Sequence, residues 1–226
     1  MVNSHSKYQL IKHLIDKVAQ FEESVPAEEM TMAAFVSYLN NIDQDGALPM
    51  RKLGGELEDN MQRAGNEQDM QIAILVTFMN RYAKLYAKKV LQNSPLSTAD
   101  EFSYLIVLLT HSSLSKTELI HKNVHEKTTG MEILKRLLKQ GYIRQFDDAE
   151  DKRTQRVAIT EAGKGVLFSV LGQMGDVTKI VTGNLTPLEK NSLAYLLRKL
   201  DHFHFDIFMN ERQTPLEEII RKKMNG

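Results

Sequence analysis

The 226-residue sequence has no cysteine, no tryptophan and only five prolines. Lack of cysteine excludes disulfides, thiolate nucleophiles, thiol redox switches and Cys-ligated zinc. No apolar run approaches the roughly 20 residues that a membrane-spanning helix needs, and the opening MVNSHSKYQL lacks the apolar stretch of a secretory leader. The expectation is a cytoplasmic protein with no membrane partner. Net charge is missing as well: 29 basic side chains balance 29 acidic ones, so the chain as a whole does not attract polyanions. There is no HExxH pair, no nucleophile elbow, no phosphate-binding glycine loop and no serine with recognisable histidine and acid partners. The sequence therefore predicts neither an enzyme nor a cofactor.

What is present is the composition of a soluble protein, long enough to bury a core without staples. The balanced charge is unevenly placed. Residues 1–65 hold 6 basic and 10 acidic side chains, so the amino-terminal piece is acidic, while 66–96 hold 4 and 2. Between His111 and Phe146, Lys116, Lys122, Lys127, Lys135, Arg136, Lys139 and Arg144 face only Glu118, Glu126 and Glu132. A neutral chain with one basic stretch is compatible with a nucleic-acid footprint on one face, although solvated helix surfaces also look like this.

Apolar spacing of three and four predicts helices at 7–23 (Tyr8, Ile11, Leu14, Ile15, Val18, Phe21) and 28–41, then a loose connector over 42–65. The helix expected at 67–91 carries more apolar surface than one stripe, which suits burial of more than one face. Ser97 with Asp100 predicts the cap of a helix over 98–110, and Ser115 with Glu118 that of a helix over 116–123. After a tight turn at Val124 and His125 comes a helix over 126–140, stopped by Gly141. The period then shortens towards two on either side of the polar DDAEDKRT, predicting a hairpin. Thr160 caps the next helix, which breaks near Gly183, and Thr186-Pro187-Leu188-Glu189 and Thr214-Pro215-Leu216-Glu217 are two copies of one helix-start signal.

Helices over 98–110, 116–123 and 126–140 followed by a hairpin form the order of a winged helix-turn-helix. Such a unit presents one helix to a major groove roughly 12 Å wide and a hairpin loop to the neighbouring minor groove. Off its apolar face the third helix offers Lys127, Thr128, Thr129, Met131, Glu132, Lys135 and Arg136, and the wing offers Lys152, Arg153 and Arg156.

The run LKRLLKQGYIRQFDDAEDKRTQRVAITEAGKGVL, residues 134–167, resembles the MarR family of bacterial transcription regulators. The matching positions are Gly141 after the recognition helix, Arg144, Asp151 with Arg153 in the wing, Ile159 with Thr160, and Glu161, Ala162 and Gly163. LTPLEKNSLAYLLRKL, residues 185–200, looks like the start of the family's penultimate helix, and the resemblance covers about residues 66–205. It implies a mainly α (α+β) chain with a dimerisation helix at 66–96, a winged helix-turn-helix at 97–165 and dimer-completing helices at 166–226, and it leaves residues 1–65 as an acidic helical extension outside it. It also implies a homodimer on pseudo-palindromic double-stranded DNA. By position, Lys127, Thr128 and Thr129 open the groove-facing helix, Arg153 is the minor-groove arginine held by Asp151, and Lys116 and Thr117 lie near phosphates.

Two positions depart from the pattern. Gly130 stands where an apolar residue is usual, at about 1 kcal/mol against alanine in a helix. Glu132 stands where a basic residue is common; it repels phosphate yet can accept from a cytosine amine, so altered base preference is expected. The acidic extension is not explained by the resemblance. A rival reading makes the winged helix a protein-interaction module whose extension blocks or replaces DNA binding.

A small apolar or phenolic effector is implied near Tyr82, Tyr86 and Phe102. Met30, Met32, Met50, Met61, Met70 and Met79 could line an adaptable pocket, although methionines at helical spacing more often fill cores. No metal is expected. Asn41, Asp43, Asp45 and Gly46 mimic half a calcium loop, but Lys52 stands where a bidentate glutamate is required. Asp201, His202, His204 and Asp206 have ligand chemistry, but helical residues two apart diverge by about 200°.

Overall fold

A computed structural model describes residues 4–42, 67–151 and 153–224, and side chains within a slightly narrower set. The chain divides into two compact units, Met1–Glu67 and Gln68–Gly226.

In the first unit α1 (Ser4–Ser24) turns through Pro26 and one 3-10 turn (Ala27–Glu29) into α2 (Met32–Ile42). Phe21 and Phe35 are buried, and their rings approach to 5.3 Å, with Tyr38 5.1 Å from Phe21. Helix α2 starts later than its spacing suggests. Pro26 directs the chain into the 3-10 turn, and the Thr31 hydroxyl accepts from the Ala34 N–H at 3.1 Å, capping a helix that begins at Met32. Met30, Met32 and Met79, readable as core fillers, are exposed; Met50, Met61 and the calcium-like loop residues Asp43, Asp45, Gly46 and Lys52 lie outside the described residues.

The second unit begins within the first turn of α3 (Glu67–Leu91) and continues through α4 (Ala99–Leu109), β1 (Leu114–Ser115), α5 (Lys116–Lys122), α6 (Lys127–Lys139), β2 (Ile143–Asp147), β3 (Gln155–Ile159), α7 (Glu161–Thr182), α8 (Pro187–Asn210) and α9 (Leu216–Met224). The antiparallel sheet has the order β1-β3-β2, with Ile143 opposite Ile159, Asp147 opposite Gln155 and Leu114 opposite Val157. Strand β1 is two residues long, too short for alternation to announce it.

Leu96, Tyr104, Leu105, Leu108, Leu119, Leu134, Leu137, Val157 and Leu167 form a fully buried core that α4, α5, α6, β3 and the start of α7 share. Its integrity depends on close approaches. Gly130, buried within α6, lies where an added Cβ would overlap the Ile120 side chain of α5. The glycine that looks like a propensity penalty is what lets the two helices of the turn touch. Gly141 at φ 72° and Gly183 at φ 53° end α6 and α7 in left-handed backbone, as the sequence suggests.

Helices α3 and α8 are different. No residue of α8 is buried, and Leu193, Tyr195, Leu196, Leu197 and Leu200 are exposed, as are Ile72, Leu75, Val76, Met79 and Leu85 on α3. Among the described residues no helix is long and apolar enough to cross a membrane.

Candidate nucleic-acid interface

Helix α5 opens with a capping box: the Ser115 hydroxyl accepts from the Glu118 N–H at 3.2 Å, and the Glu118 carboxylate accepts from the Ser115 N–H at 2.7 Å. That backbone donor, chiefly, holds the Glu118 carboxyl below the ordinary glutamate range, so the cap stays ionised at neutral pH. Lys116 and Thr117 thereby sit in the first turn of a firmly started helix. The chain then turns at Val124, whose φ of 52° is left-handed, and enters α6.

Helix α6 buries Gly130, Ile133, Leu134 and Leu137 and exposes Lys127, Thr128, Thr129, Met131, Glu132 and Lys135. The sequence periodicity therefore assigns the two faces of this helix as the packing does. Lys116, Thr128, Met131, Glu132, Leu134, Lys135 and Leu138 line one shallow depression of about 450 Å³, so residues from both helices of the motif meet on one surface. Two lysines and one glutamate flank it, a mixed charge that favours selective over indiscriminate contact with a polyanion.

The wing is built by hydrogen bonds at its base. Asp148 accepts from the Glu150 and Asp151 N–H groups at 2.8 and 3.2 Å, and these, with the Arg156 guanidinium, hold its carboxyl below the usual range. Asp151 accepts from the Arg153 N–H at 3.0 Å, the Thr154 hydroxyl at 3.1 Å and the Arg153 Nε at 3.3 Å. Arg153 itself projects, with its side chain 93 % exposed. An ion pair so exposed holds the arginine only loosely, so its charge can be redirected to another anion. Lys152 lies outside the described residues.

Two residues expected at the interface are engaged elsewhere. Arg156 donates from Nε to the Ser113 hydroxyl at 2.8 Å, from Nη2 to the Ser113 carbonyl at 3.0 Å and from Nη1 to Asp148 at 3.0 Å. It braces the wing against the start of β1. Arg136 donates from Nε to Glu101 at 2.7 Å, and Glu101 is completely buried. Glu101 also accepts from the Ser97 N–H at 2.7 Å, while its own N–H donates to the Thr98 hydroxyl at 3.1 Å. The cap of α4 is thus Thr98 with Glu101, one residue along from the Ser97 and Asp100 that the sequence suggests. That shift hides Glu101, which ties the first turn of α4 to the last turn of α6.

A second brace reaches the turn itself. Arg212, just beyond α8, donates to the His125 carbonyl at 3.2 Å and to Glu126 at 3.4 Å, lies 3.3 Å from His121 Nε2, and sits 4.1 Å above the Phe208 ring. The fully buried Tyr104 brings its hydroxyl to His125 Nδ1 at 3.1 Å. Burial, helped by nearby Asp100, pushes the Tyr104 phenol up to about 12. Because the folded state favours the neutral phenol, stability is expected to hold below pH 10 and to fall by roughly 2–3 kcal/mol between pH 10 and 12. Urea titrations across that range should show a smaller alkaline loss in Tyr104→Phe than in the parent. Equal losses would mean that another group causes it.

Of the residues considered for an effector, Phe102 packs against the core, Tyr86 is half-buried and Tyr82 is exposed. Asp206 is held by Lys223 at 2.6 Å and Asn210 at 2.8 Å, and no cluster of three metal-ligating side chains occurs among the described residues.

Residues 107–163 match the winged helix DNA-binding domain family. The HTH-type transcriptional repressor NicR of Pseudomonas putida is 28 % identical over 106 residues, 47 % of this chain and 67 % of that protein. Among solved structures, a MarR variant from E. coli complexed with operator DNA shares 24 % identity and a TM-score of 0.54 over 59 % of this chain and 95 % of that one. Bordetella bronchiseptica BpsR, whose DNA binding is regulated by 6-hydroxynicotinic acid, shares 22 % identity and a TM-score of 0.55 over 57 % of this chain and 92 % of that one. Capped α5, glycine-spaced α6 and braced wing thus build a winged helix over residues that match the winged helix DNA-binding domain family, in a chain whose fold is similar to those of MarR and BpsR.

Proposed function

We propose that the protein regulates transcription by binding pseudo-palindromic double-stranded DNA as a homodimer. The observation that carries this reading is the alignment of Lys116, Thr128, Met131, Glu132 and Lys135 along one depression of the helix-turn-helix. In this arrangement Lys127, Thr128, Thr129, Met131, Glu132 and Lys135 face the major groove, Lys116 and Thr117 approach phosphate, and Arg153 enters the minor groove with Asp151 shaping its loop. Arg136 and Arg156 act indirectly, by fixing the recognition helix and the wing. The exposed apolar faces of α3 and α8 support a dimer, because contiguous apolar surface of this kind ordinarily marks an interface. Two copies would set two recognition helices about one DNA turn apart.

A small apolar or phenolic effector would modulate this binding by changing that spacing. Support comes from the partly buried aromatics Tyr86 and Phe102 on consecutive helices and from the regulation of BpsR's DNA binding by 6-hydroxynicotinic acid. Isothermal calorimetry against aromatic acids, including 6-hydroxynicotinic acid, tests it; no heat and no shift in operator affinity across the panel would dispose of the effector.

Selection from a random duplex pool should enrich a pseudo-palindrome, and a pool that stays random would favour a protein-interaction role. Arg153→Ala is expected to weaken binding to the selected site and to lower the slope of log affinity against log salt by about one. An unchanged slope would remove Arg153 from the phosphate or groove contacts.

A further inference from the structure

The amino-terminal unit has no counterpart in the DNA-binding reading, yet its first helix carries an unusual surface. Helix α1 packs on α2 through Phe21; apart from Leu10, which is also exposed, its large apolar side chains Tyr8, Ile11, Leu14, Ile15 and Val18 form one exposed stripe. At 100° per residue these five span an arc of about 120°. Ile11, Leu14, Ile15 and Val18 also line a wholly apolar depression of about 290 Å³. A stripe this wide and this continuous is a packing surface.

The order of residues along α1 says what fits it. About a midpoint between Leu14 and Ile15 the stripe is self-complementary: Leu14 falls opposite Ile15, Ile11 opposite Val18 and Lys7 opposite Glu22. On the flank, Lys12 falls within one residue's rise of Asp16, about 1.5 Å along the axis. A two-fold interface requires this arrangement, because every contact between residue i and residue j must occur twice. Parallel pairing would instead set Lys7 against Lys7 and Glu22 against Glu22, which is unfavourable. An unrelated partner would impose no such symmetry on the helix.

We infer that α1 is a self-association helix, pairing antiparallel with α1 of a second copy through Ile11, Leu14, Ile15 and Val18, with Lys7 of each chain beside Glu22 of the other. The pairing is independent of DNA recognition; a chain that selected no operator would still form it.

The absence of cysteine makes a direct test possible in the full-length protein. Under mild oxidation Leu14→Cys, close to the two-fold axis, should yield a disulfide-linked dimer, because Cβ atoms there approach bridging distance. Lys7→Cys and Glu22→Cys should each stay monomeric on a non-reducing gel, whereas an equimolar mixture of the two should give the mixed disulfide. Gln20→Cys, on the opposite face, should not link. Adding Ile11→Asp to both members of the mixed pair should abolish their link, at least tenfold in yield, while circular dichroism stays unchanged. Self-linking of Lys7→Cys would establish the parallel arrangement and overturn the proposal. No link at residue 14 would overturn it as well, by showing that the stripe is covered within its own chain or by something other than a second copy.

Discussion

Arg136→Ala is expected to destabilise the protein by about 3 kcal/mol, an unusually large effect for a residue whose side chain is 43 % exposed. The reason lies in its partner. The Glu101 side chain is completely buried and is held by two short bonds, one from the Ser97 N–H and one from Arg136, each 2.7 Å. Removing the guanidinium leaves a buried carboxylate with a single neutral donor, whereas the exposed part of Arg136 has water as an alternative. Glu101→Ala should cost somewhat less, because the stranded arginine can turn outwards. Replacing both by leucine should recover much of the loss, since the desolvation cost disappears with the pair. Urea denaturation of the two single variants and the double variant gives the coupling directly.

The same variants separate bracing from DNA contact. Arg136→Ala is expected to weaken operator binding by disturbing the angle of α6, but to leave the salt slope unchanged, in contrast to Arg153→Ala. A salt slope reduced by one, with stability within 0.5 kcal/mol of the parent as surface substitutions usually are, would return Arg136 to the phosphate contacts and refute the bracing role.

Arg136 also illustrates what a sequence can and cannot disclose here. Local chemistry is legible: Ser115 with Glu118 and Thr186 with Glu189 form complete capping boxes, and Gly141 and Gly183 end helices in left-handed backbone. The groove-facing side of α6 is legible too, because alternation of buried and exposed residues follows from helical period alone. What period cannot supply is the partner of a polar side chain 35 residues away. Arg136 and Arg156 share the composition of a nucleic-acid face and differ from Arg153 only in having acceptors that the fold delivers, Glu101 for one, Ser113 and Asp148 for the other. Glu101 was reachable from sequence through Thr98, yet two adjacent hydroxyl residues, Ser97 and Thr98, each with an acid three positions on, present the same signal. Backbone approach distances are equally silent: Gly130 reads as a weak helical residue until Ile120 is seen lying against it.

Gly163 is the strictest of these approaches, and Gly163→Ala is expected to cost about 3 kcal/mol, the upper part of the range for forcing a methyl group into packed structure. At Gly130 the obstacle is a side chain that can shift. At Gly163 an added Cβ would overlap the main-chain carbonyl of Tyr142, which cannot rotate away alone. That carbonyl accepts from the Thr160 N–H at 3.0 Å and lies 3.1 Å from the Thr160 hydroxyl, and the hydroxyl accepts from the Gly163 N–H at 3.0 Å. A methyl at position 163 therefore pushes the start of α7 off the turn that follows α6 and strains all three bonds. Since Thr160 directly follows β3, the wing would shift with it, and operator affinity should fall with stability. Gly172→Ala provides the contrast: it lies within the same helix with nothing inside 4 Å of an added Cβ. There the gain in helix propensity should stabilise the protein by up to about 1 kcal/mol. Thermal and urea unfolding of the two variants should shift in opposite directions. A Gly163→Ala protein as stable as the parent, or a Gly172→Ala protein equally weakened, would show that the contact with Tyr142 does not limit residue 163.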